Sequence, residues 1–198
     1  MMKRLMIVSL VVLLMASCSE KKINKSGKFD PEAIALNNRA VKMIREYKND
    51  SALIILDKAI KADETYYMPH SNKVTVYVNK ADYKNALKES LLAVEKKPDL
   101  AEGWSMAGML SDKVGDTIKS KEYYQKSVEL FDKLISDPQQ KAKLVRNRLN
   151  RALSMILMGK EEEGRKEMIK LKEENPNDLA VDEFSKVDRK EFINKFFF

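Results

Sequence analysis

The sequence predicts an all-α protein built from repeated helical hairpins. Its 198 residues include only 6 glycines and 5 prolines, too few for the many turns of a β-barrel or β-sandwich. Lys, Glu, Leu, Ala, Met and Arg, which are all good helix formers, dominate the composition. Small residues also recur at a fixed spacing: Ala52, Ala86 and Ser120 stand 34 residues apart. A period of this length indicates stacked supersecondary units, none of which can bury its apolar face alone.

The residues around Trp104 indicate the kind of repeat. Trp104 is followed three residues later by Ala107 and then by Gly108, and Ser120 stands sixteen residues beyond Trp104. This resembles the W-x2-L-G core of the 34-residue tetratricopeptide (TPR) signature, with Ala in place of Leu. The resemblance covers about residues 33–177 and implies a right-handed α-solenoid of about four helix-turn-helix units with a C-terminal capping helix. The implied units are 33–66, 67–100, 101–137 and 138–178, within a domain spanning 30–178, and the capping helix is 179–198.

Local signals place the helices of the first two units. The folded region is expected to begin at Asp30, because Asp is a preferred N-cap and Pro31 suits the first helical turn. The second helix is predicted over 51–61. The third is predicted over 68–79, although its residues 75–78 include weak helix formers. Turns are expected at 47–50 and 81–83, and Pro98 stands where the TPR pattern has its proline.

The later units depart from the regular period. Gly164 is the small residue of the fourth unit, and it stands 44 residues after Ser120, ten more than the period. We expect a lengthened helix ending at Ile135 and an early start of the next helix near Gln139 to absorb the extra residues. Turns are predicted at 114–116 and 158–160. Solenoid ends need a cap over the last apolar face, which the segment 179–198 is expected to supply.

The N-terminus carries the strongest functional signal. Lys3 and Arg4 precede an apolar run over 5–15, which is shorter than the ~20 residues that a membrane-spanning helix needs. The run fits a signal peptide over 1–17. It ends in small residues directly before Cys18, and this arrangement resembles the lipobox of bacterial lipoproteins, with Met15 where that family most often has Leu.

The lipobox resemblance implies a lipid anchor. The Cys18 thiol would carry diacylglycerol and its new amino group an acyl chain such as palmitate, with residues 18–29 as a flexible tether. Asp, which retains some lipoproteins at the inner membrane, does not follow Cys18, and Ser19 stands there instead. The expected location is therefore the bacterial cell envelope, at the outer membrane. An uncleaved signal anchor or an incidental cysteine is the alternative.

The sequence predicts neither a catalytic nor a metal site. The one histidine, His70, has no Cys or second His at ligand spacing, and we expect it to have an incidental surface or packing role. No glycine-rich phosphate loop or nucleophile elbow occurs, so no cofactor and no enzyme activity are expected. The net charge is +7, but Lys and Glu are interspersed along the chain. That pattern is typical of solvated helices rather than nucleic-acid binding.

The remaining candidate for function is a groove for a protein partner. TPR arrays bind an extended peptide or a helix along the first helix of each unit, so the resemblance implies such a ligand and no small-molecule substrate. The best-known TPR ligand mode clamps a chain-terminal carboxylate at five places, where this chain has Asn37, Val41, Asn72, Glu102 and Met106. Only Asn72 matches, so a different ligand is expected. The candidate groove residues are Asn37, Val41, Ile44, Ser71, Asn72, Thr75, Val78, Ser105, Met109, Asp112, Leu149, Leu153 and Ile156.

Three alternatives stay open at this stage. The chain could instead be a ligand- or glycan-binding accessory subunit of an outer-membrane uptake system. Ser51 and Thr117 each follow an Asp in a way that resembles the O-glycosylation sequence of Bacteroidetes, although Asp before a helix is also an ordinary cap. The C-terminal Phe196–Phe198 either packs onto the cap or docks on a partner or membrane.

Overall fold

The structure, a computed structural model, describes residues 29–186 together with residues 189, 192 and 193. Within this part of the chain every regular element is a helix and no β-strand occurs, which confirms the all-α prediction. None of these helices combines the length and apolarity that crossing a bilayer requires. The chain divides into two compact units between Pro98 and Asp99. The signal peptide, Cys18, residues 18–28 of the tether and Phe196–Phe198 lie outside the described residues. Phe29, which the sequence assigned to the flexible tether, instead packs against Tyr66, with ring centroids 4.7 Å apart.

The first unit contains two helical hairpins. Helices α1 (Pro31–Arg45) and α2 (Asn49–Ala62) form hairpin 1, and α3 (Met68–Asn79) and α4 (Tyr83–Lys96) form hairpin 2. Asp30 begins α1, because its Oδ1 accepts hydrogen bonds from two backbone N–H groups of the first turn. Helix α3 forms over 68–79 despite its weak propensity. Its residues 74–76 are buried, so packing outweighs the intrinsic preference.

The second unit contains two further hairpins and a short helix. Hairpin 3 consists of α5 (Ala101–Val114) and α6 (Thr117–Ser136), and hairpin 4 of α7 (Leu144–Met158) and α8 (Glu161–Glu174). The extra residues lie in the long α6 and in a 3₁₀ helix, Pro138–Lys143. The start expected near Gln139 is thus a 3₁₀ segment, and α7 itself begins later. Helix α9 (Leu179–Ser185) packs against α8 and buries Val181 and Phe184, as a cap should.

The four hairpin turns share one backbone feature. Each contains a single residue of positive φ: Tyr47 at 56°, Ala81 at 55°, Gly115 at 92° and Gly159 at 101°. In every case the N–H groups of this residue and the next donate to carbonyls of the last helical turn, which is how a left-handed residue closes a helix. Two of the four are not glycine, so the geometry of the repeat imposes this conformation even where the residue type disfavours it.

Small residues let the two helices of each hairpin approach closely. Ala52, Ala86 and Ser120 are fully buried, at 0% exposure, and Gly164 is buried as well. A Cβ atom on Gly164 would lie only 2.6 Å from the carbonyl oxygen of Ala152 on α7. Helices α7 and α8 are therefore in backbone contact at this point, which is closer than any larger side chain permits.

Candidate protein-binding surfaces

The two helices of a hairpin meet through a pair of residues 19 positions apart. In hairpin 3 the pair is Trp104 and Tyr123, whose ring centroids lie 5.6 Å apart. In hairpin 1 it is Leu36 and Ile55, which belong to one apolar cluster. Both pairs stabilise their hairpin by burying apolar surface.

The other two hairpins use charged pairs at the same place. In hairpin 2 the Nδ1 of His70 lies 2.7 Å from Oε2 of Glu89. In hairpin 4 the Nε of Arg148 donates to Oε1 of Glu167 at 2.6 Å. The position that Trp104 occupies in hairpin 3 thus carries a cationic or proton-donating side chain in hairpins 2 and 4. Its partner is a glutamate in both.

The hairpin 2 pair belongs to a larger buried network. Glu89 is 6% exposed and His70 is also 6% exposed. Oε1 of Glu89 accepts from Nζ of Lys73 at 2.6 Å, and the same ammonium lies 2.9 Å from Oδ1 of Asp57 on α2. Burial alone would raise the pKa of the Glu89 carboxyl, but the hydrogen bonds from His70 and Lys73 outweigh it and hold the pKa below its ordinary value. His70 therefore takes part in a buried ionic network, which is more than the incidental role that its isolation in the sequence predicts.

The first unit brings together two of the predicted groove residues. Nδ2 of Asn72 on α3 donates to Oδ1 of Asn37 on α1 at 2.7 Å, although 35 positions separate them. Val41 and Val78 are half-buried on the same two helices. Asn37 is 2% exposed, and the remaining predicted residues of this unit, Ile44, Ser71 and Thr75, are each 8% exposed.

The second unit does not present its predicted groove as an open surface. Five of its six predicted residues have exposures of 9% or less: Ser105, Met109, Leu149, Leu153 and Ile156. The repeat pattern predicts which side of α5 and α7 they occupy, but it contains no information on what covers that side. Their role in binding stays a prediction.

Asp112, the sixth of these residues, has a distinctive environment. Its side chain is 6% exposed. Oδ2 accepts a hydrogen bond from Tyr124 Oη at 3.1 Å and another from Arg189 Nη2 at 3.0 Å. Oδ1 is buried and has no hydrogen-bond partner within the described part of the chain. Burial raises the pKa of the Tyr124 hydroxyl and the nearby Asp112 carboxylate raises it further, so this hydroxyl remains a donor.

Arg189 joins the two first helices of the second unit. Besides its bond to Asp112 on α5, its Nε donates to the carbonyl oxygen of Leu157 on α7 at 2.7 Å. Residue type and spacing do not single out Arg189, because it is one arginine in a lysine-rich C-terminal segment. Only the fold places it against a buried carboxylate.

A shallow surface groove of about 680 Å³ lies elsewhere, between α7 and α8. Met155 and Ile169 supply its apolar part, and Arg151, Glu163, Lys166, Glu167, Lys170 and Glu173 surround them. Its charged groups are of mixed sign and open to water, so it lacks the convergent buried polar atoms that a specific ligand site requires. Within the described residues, no group of three or more His, Cys, Asp or Glu side chains is arranged to hold a metal ion.

Comparison with known proteins relates this chain to TPR proteins through part of its sequence and through its fold. No family model matches the chain. A segment of 85 residues is 32% identical to the heat shock protein sti1 homolog of Schizosaccharomyces pombe (strain 972 / ATCC 24843), covering 43% of this chain and 14% of that protein. The chain thus spans only a small part of that relative.

Two solved structures resemble the fold at low sequence identity. The MamA RS-1 ArsTM double mutant aligns with a TM-score of 0.51 at 16% identity and 79% coverage of both chains. PcrH, solved in complex with the chaperone binding region of PopB, aligns with a TM-score of 0.51 at 14% identity, covering 63% of this chain and 98% of that chain. Together with the four hairpins, the first three of which follow the 34-residue period, these likenesses show that the chain has an all-α fold of TPR-type helical hairpins.

Proposed function

We propose that this chain is a membrane-anchored TPR protein that holds a partner protein in the bacterial cell envelope. It binds an extended or helical segment of that partner on the first helices of its hairpins. The observation that carries the proposal is the contact between Asn37 and Asn72. These two residues, which the repeat pattern assigns to one groove, stand on different hairpins and are joined by a hydrogen bond.

The chemistry of this surface suits a peptide segment. Asn37 is buried, but the half-buried Asn72 keeps its amide oxygen and a second N–H, which can bond a peptide backbone. Val41 and Val78 add half-buried apolar surface on the same helices. Such a mixture recognises a segment by main-chain hydrogen bonds and side-chain packing rather than by one charged clamp. PcrH supports this proposal as a fold-level analogy only, since it was solved with a segment of another protein.

The membrane location rests on the residues around Cys18. A thioether-linked diacylglycerol with a further acyl chain binds a bilayer durably, because each buried methylene contributes about 0.8 kcal/mol and one chain alone is marginal. The tether over 18–29 then allows the folded units to reach a partner at the membrane surface.

Replacing the proposed lipid attachment residue tests the anchor. We expect the Cys18→Ser variant to leave the membrane fraction of the native cells, because a hydroxyl does not form the thioether. The wild-type chain should sediment with membranes and be released by detergent. The Ser19→Ala variant, which keeps the cysteine, serves as the matched control and should behave like the wild type.

Intact-mass spectrometry completes this test. The wild-type chain is expected to lack residues 1–17 and to exceed its polypeptide mass by a diacylglycerol and an acyl chain. A native chain whose mass equals that of the bare polypeptide, together with unchanged membrane sedimentation of Cys18→Ser, would refute the anchor.

A further inference from the structure

We propose that the second unit carries a docking surface centred on the buried carboxylate of Asp112, and that this chain's own Arg189 and Phe192 occupy it in competition with a partner. The competing partner segment presents a guanidinium followed by an aromatic side chain. This inference deepens the proposed function, on which it rests, by naming the chemistry of the ligand and the means of its regulation.

The first support is the electrostatic character of the place where Arg189 lies. Its guanidinium contacts two groups of negative character, the Asp112 carboxylate on α5 at 3.0 Å and the Leu157 carbonyl on α7 at 2.7 Å. Leu157 stands in the last turn of α7, where unsatisfied carbonyls concentrate partial negative charge. A buried carboxylate beside a helix C-terminus favours a cation, which a ligand for this surface must therefore provide.

The second support is an unused acceptor. Oδ1 of Asp112 is buried and makes no hydrogen bond within the described residues, while Oδ2 accepts from both Arg189 and Tyr124. A buried polar atom without a partner is costly. An incoming arginine that engaged both oxygens would remove this cost and make the stronger bidentate pair. Arg189 therefore holds the site by fewer bonds than the site can form.

The third support is the aromatic contact three residues after Arg189. The ring of Phe192 lies 6.1 Å from that of Phe184, a buried residue of the capping helix α9. Residues three apart lie on the same side of a helix, so a cation and an aromatic at this spacing can contact the surface together. This spacing defines the pattern expected in the partner segment.

The fourth support is that Arg189 remains accessible. Its side chain is 34% exposed, whereas that of its partner Asp112 is 6% exposed. Water and a competing cation can therefore reach Arg189.

A labelled peptide reproducing residues 187–198 tests the proposal on the full-length chain. The Arg189→Ala variant should bind this peptide about tenfold to a hundredfold more tightly than the wild type, because its own segment has lost a charge-assisted pair and competes less. The Lys186→Ala variant is the matched control. It removes the same charge from an exposed side chain, which pairs with Asp182 in the described part of the chain, and it should bind like the wild type.

Two further measurements identify the recognised group. The gain in affinity should require the arginine of the peptide. A peptide with alanine at that position should therefore bind the Arg189→Ala protein only as weakly as the original peptide binds the wild-type protein. Adding Asp112→Asn to Arg189→Ala should abolish the gain for the original peptide, with circular dichroism confirming that the helices remain.

The proposal is overturned if Arg189→Ala and Lys186→Ala bind the peptide equally, or if the alanine peptide keeps the gained affinity. Failure of the proposed function is separable from this result. Membrane release by Cys18→Ser does not involve the second unit, and peptide binding by the purified chain does not need the anchor.

Discussion

Replacing Glu89 by glutamine should lower the free energy of unfolding by about 3 kcal/mol, because it breaks a buried ionic network. The carboxylate accepts a hydrogen bond from His70 at 2.7 Å and another from Lys73 at 2.6 Å. Glutamine preserves the shape but is uncharged and has a single acceptor oxygen, so the network loses the carboxylate that neutralises Lys73 and one of its two acceptor atoms. The Lys73 ammonium, only 11% exposed, would keep just Asp57 as a charged partner. Denaturant unfolding of both proteins at pH 7 measures the difference.

The same network predicts a pH-dependent contribution to stability that the Glu89→Gln variant lacks. The pKa of Glu89 is lowered in the folded chain, so its stabilising effect is present above the unfolded glutamate pKa of about 4.3. That effect is lost as the pH falls through the folded value. The stability advantage of the wild type over Glu89→Gln should therefore be largest above pH 5 and shrink on acidification.

Glu95→Gln supplies the control for both experiments. Glu95 lies on the same helix, its side chain is 66% exposed, and its nearest cation is 3.8 Å away. Its replacement should change the free energy of unfolding by less than about 0.5 kcal/mol. Equal effects of the two substitutions, or a Glu89→Gln difference that is constant from pH 7 to pH 3, would show that the network does not stabilise hairpin 2.

Adding one methyl group at Gly164 should destabilise the chain by about 2 kcal/mol. The new Cβ would lie 2.6 Å from the Ala152 carbonyl oxygen and 2.6 Å from Cγ1 of Ile156, both on α7. A backbone oxygen cannot rotate away, so α8 must shift as a whole. Overpacking of this kind costs typically 1–3 kcal/mol or more. The ~1 kcal/mol that alanine gains over glycine in a helix only partly offsets it.

Thermal unfolding of Gly164→Ala beside Lys166→Ala checks this prediction. Lys166 is exposed two residues later on α8, so its replacement tests helix propensity without close packing. The control should stay within about 0.5 kcal/mol of the wild type. A Gly164→Ala protein at least as stable as the wild type would mean that α7 and α8 are not in backbone contact.

The sequence alone was enough to predict the class and spacing of the elements. Small residues at Ala52, Ala86 and Ser120 recur at one period, and that period sets where each hairpin closes. Helix α3 begins and ends at the predicted residues, Met68 and Asn79. These features depend on local chain geometry, which repeats with the sequence. The ten residues inserted before hairpin 4 broke the period, and there the expected α-helical start near Gln139 proved to be a 3₁₀ segment.

What the sequence could not predict depends on contacts between hairpins or with the C-terminal segment. His70 looked isolated because its partner Glu89 lies on the next helix, α4, and Asp57 on α2 joins the network only through Lys73. A comparison of the hairpins by position would have helped, since His70 falls where Trp104 falls and Glu89 where Tyr123 falls. Arg189 left no such signal, because its partner Asp112 is 77 positions away and belongs to no repeated pair.

Site-specific photo-crosslinking in the native cells tests the central claim most directly, namely that a partner segment lies on the first helices. The photoreactive residue p-benzoylphenylalanine would replace Val41, Val78 or, as the control, Ile54, which is 59% exposed on the second helix of hairpin 1. Non-specific crosslinks from random collisions would form most readily at Ile54, the most exposed of the three positions. We predict one discrete protein adduct at half-buried Val41 and Val78, its absence at Ile54, and its loss when Cys18→Ser removes the anchor. Adducts at Ile54 with none at Val41 and Val78 would contradict the account.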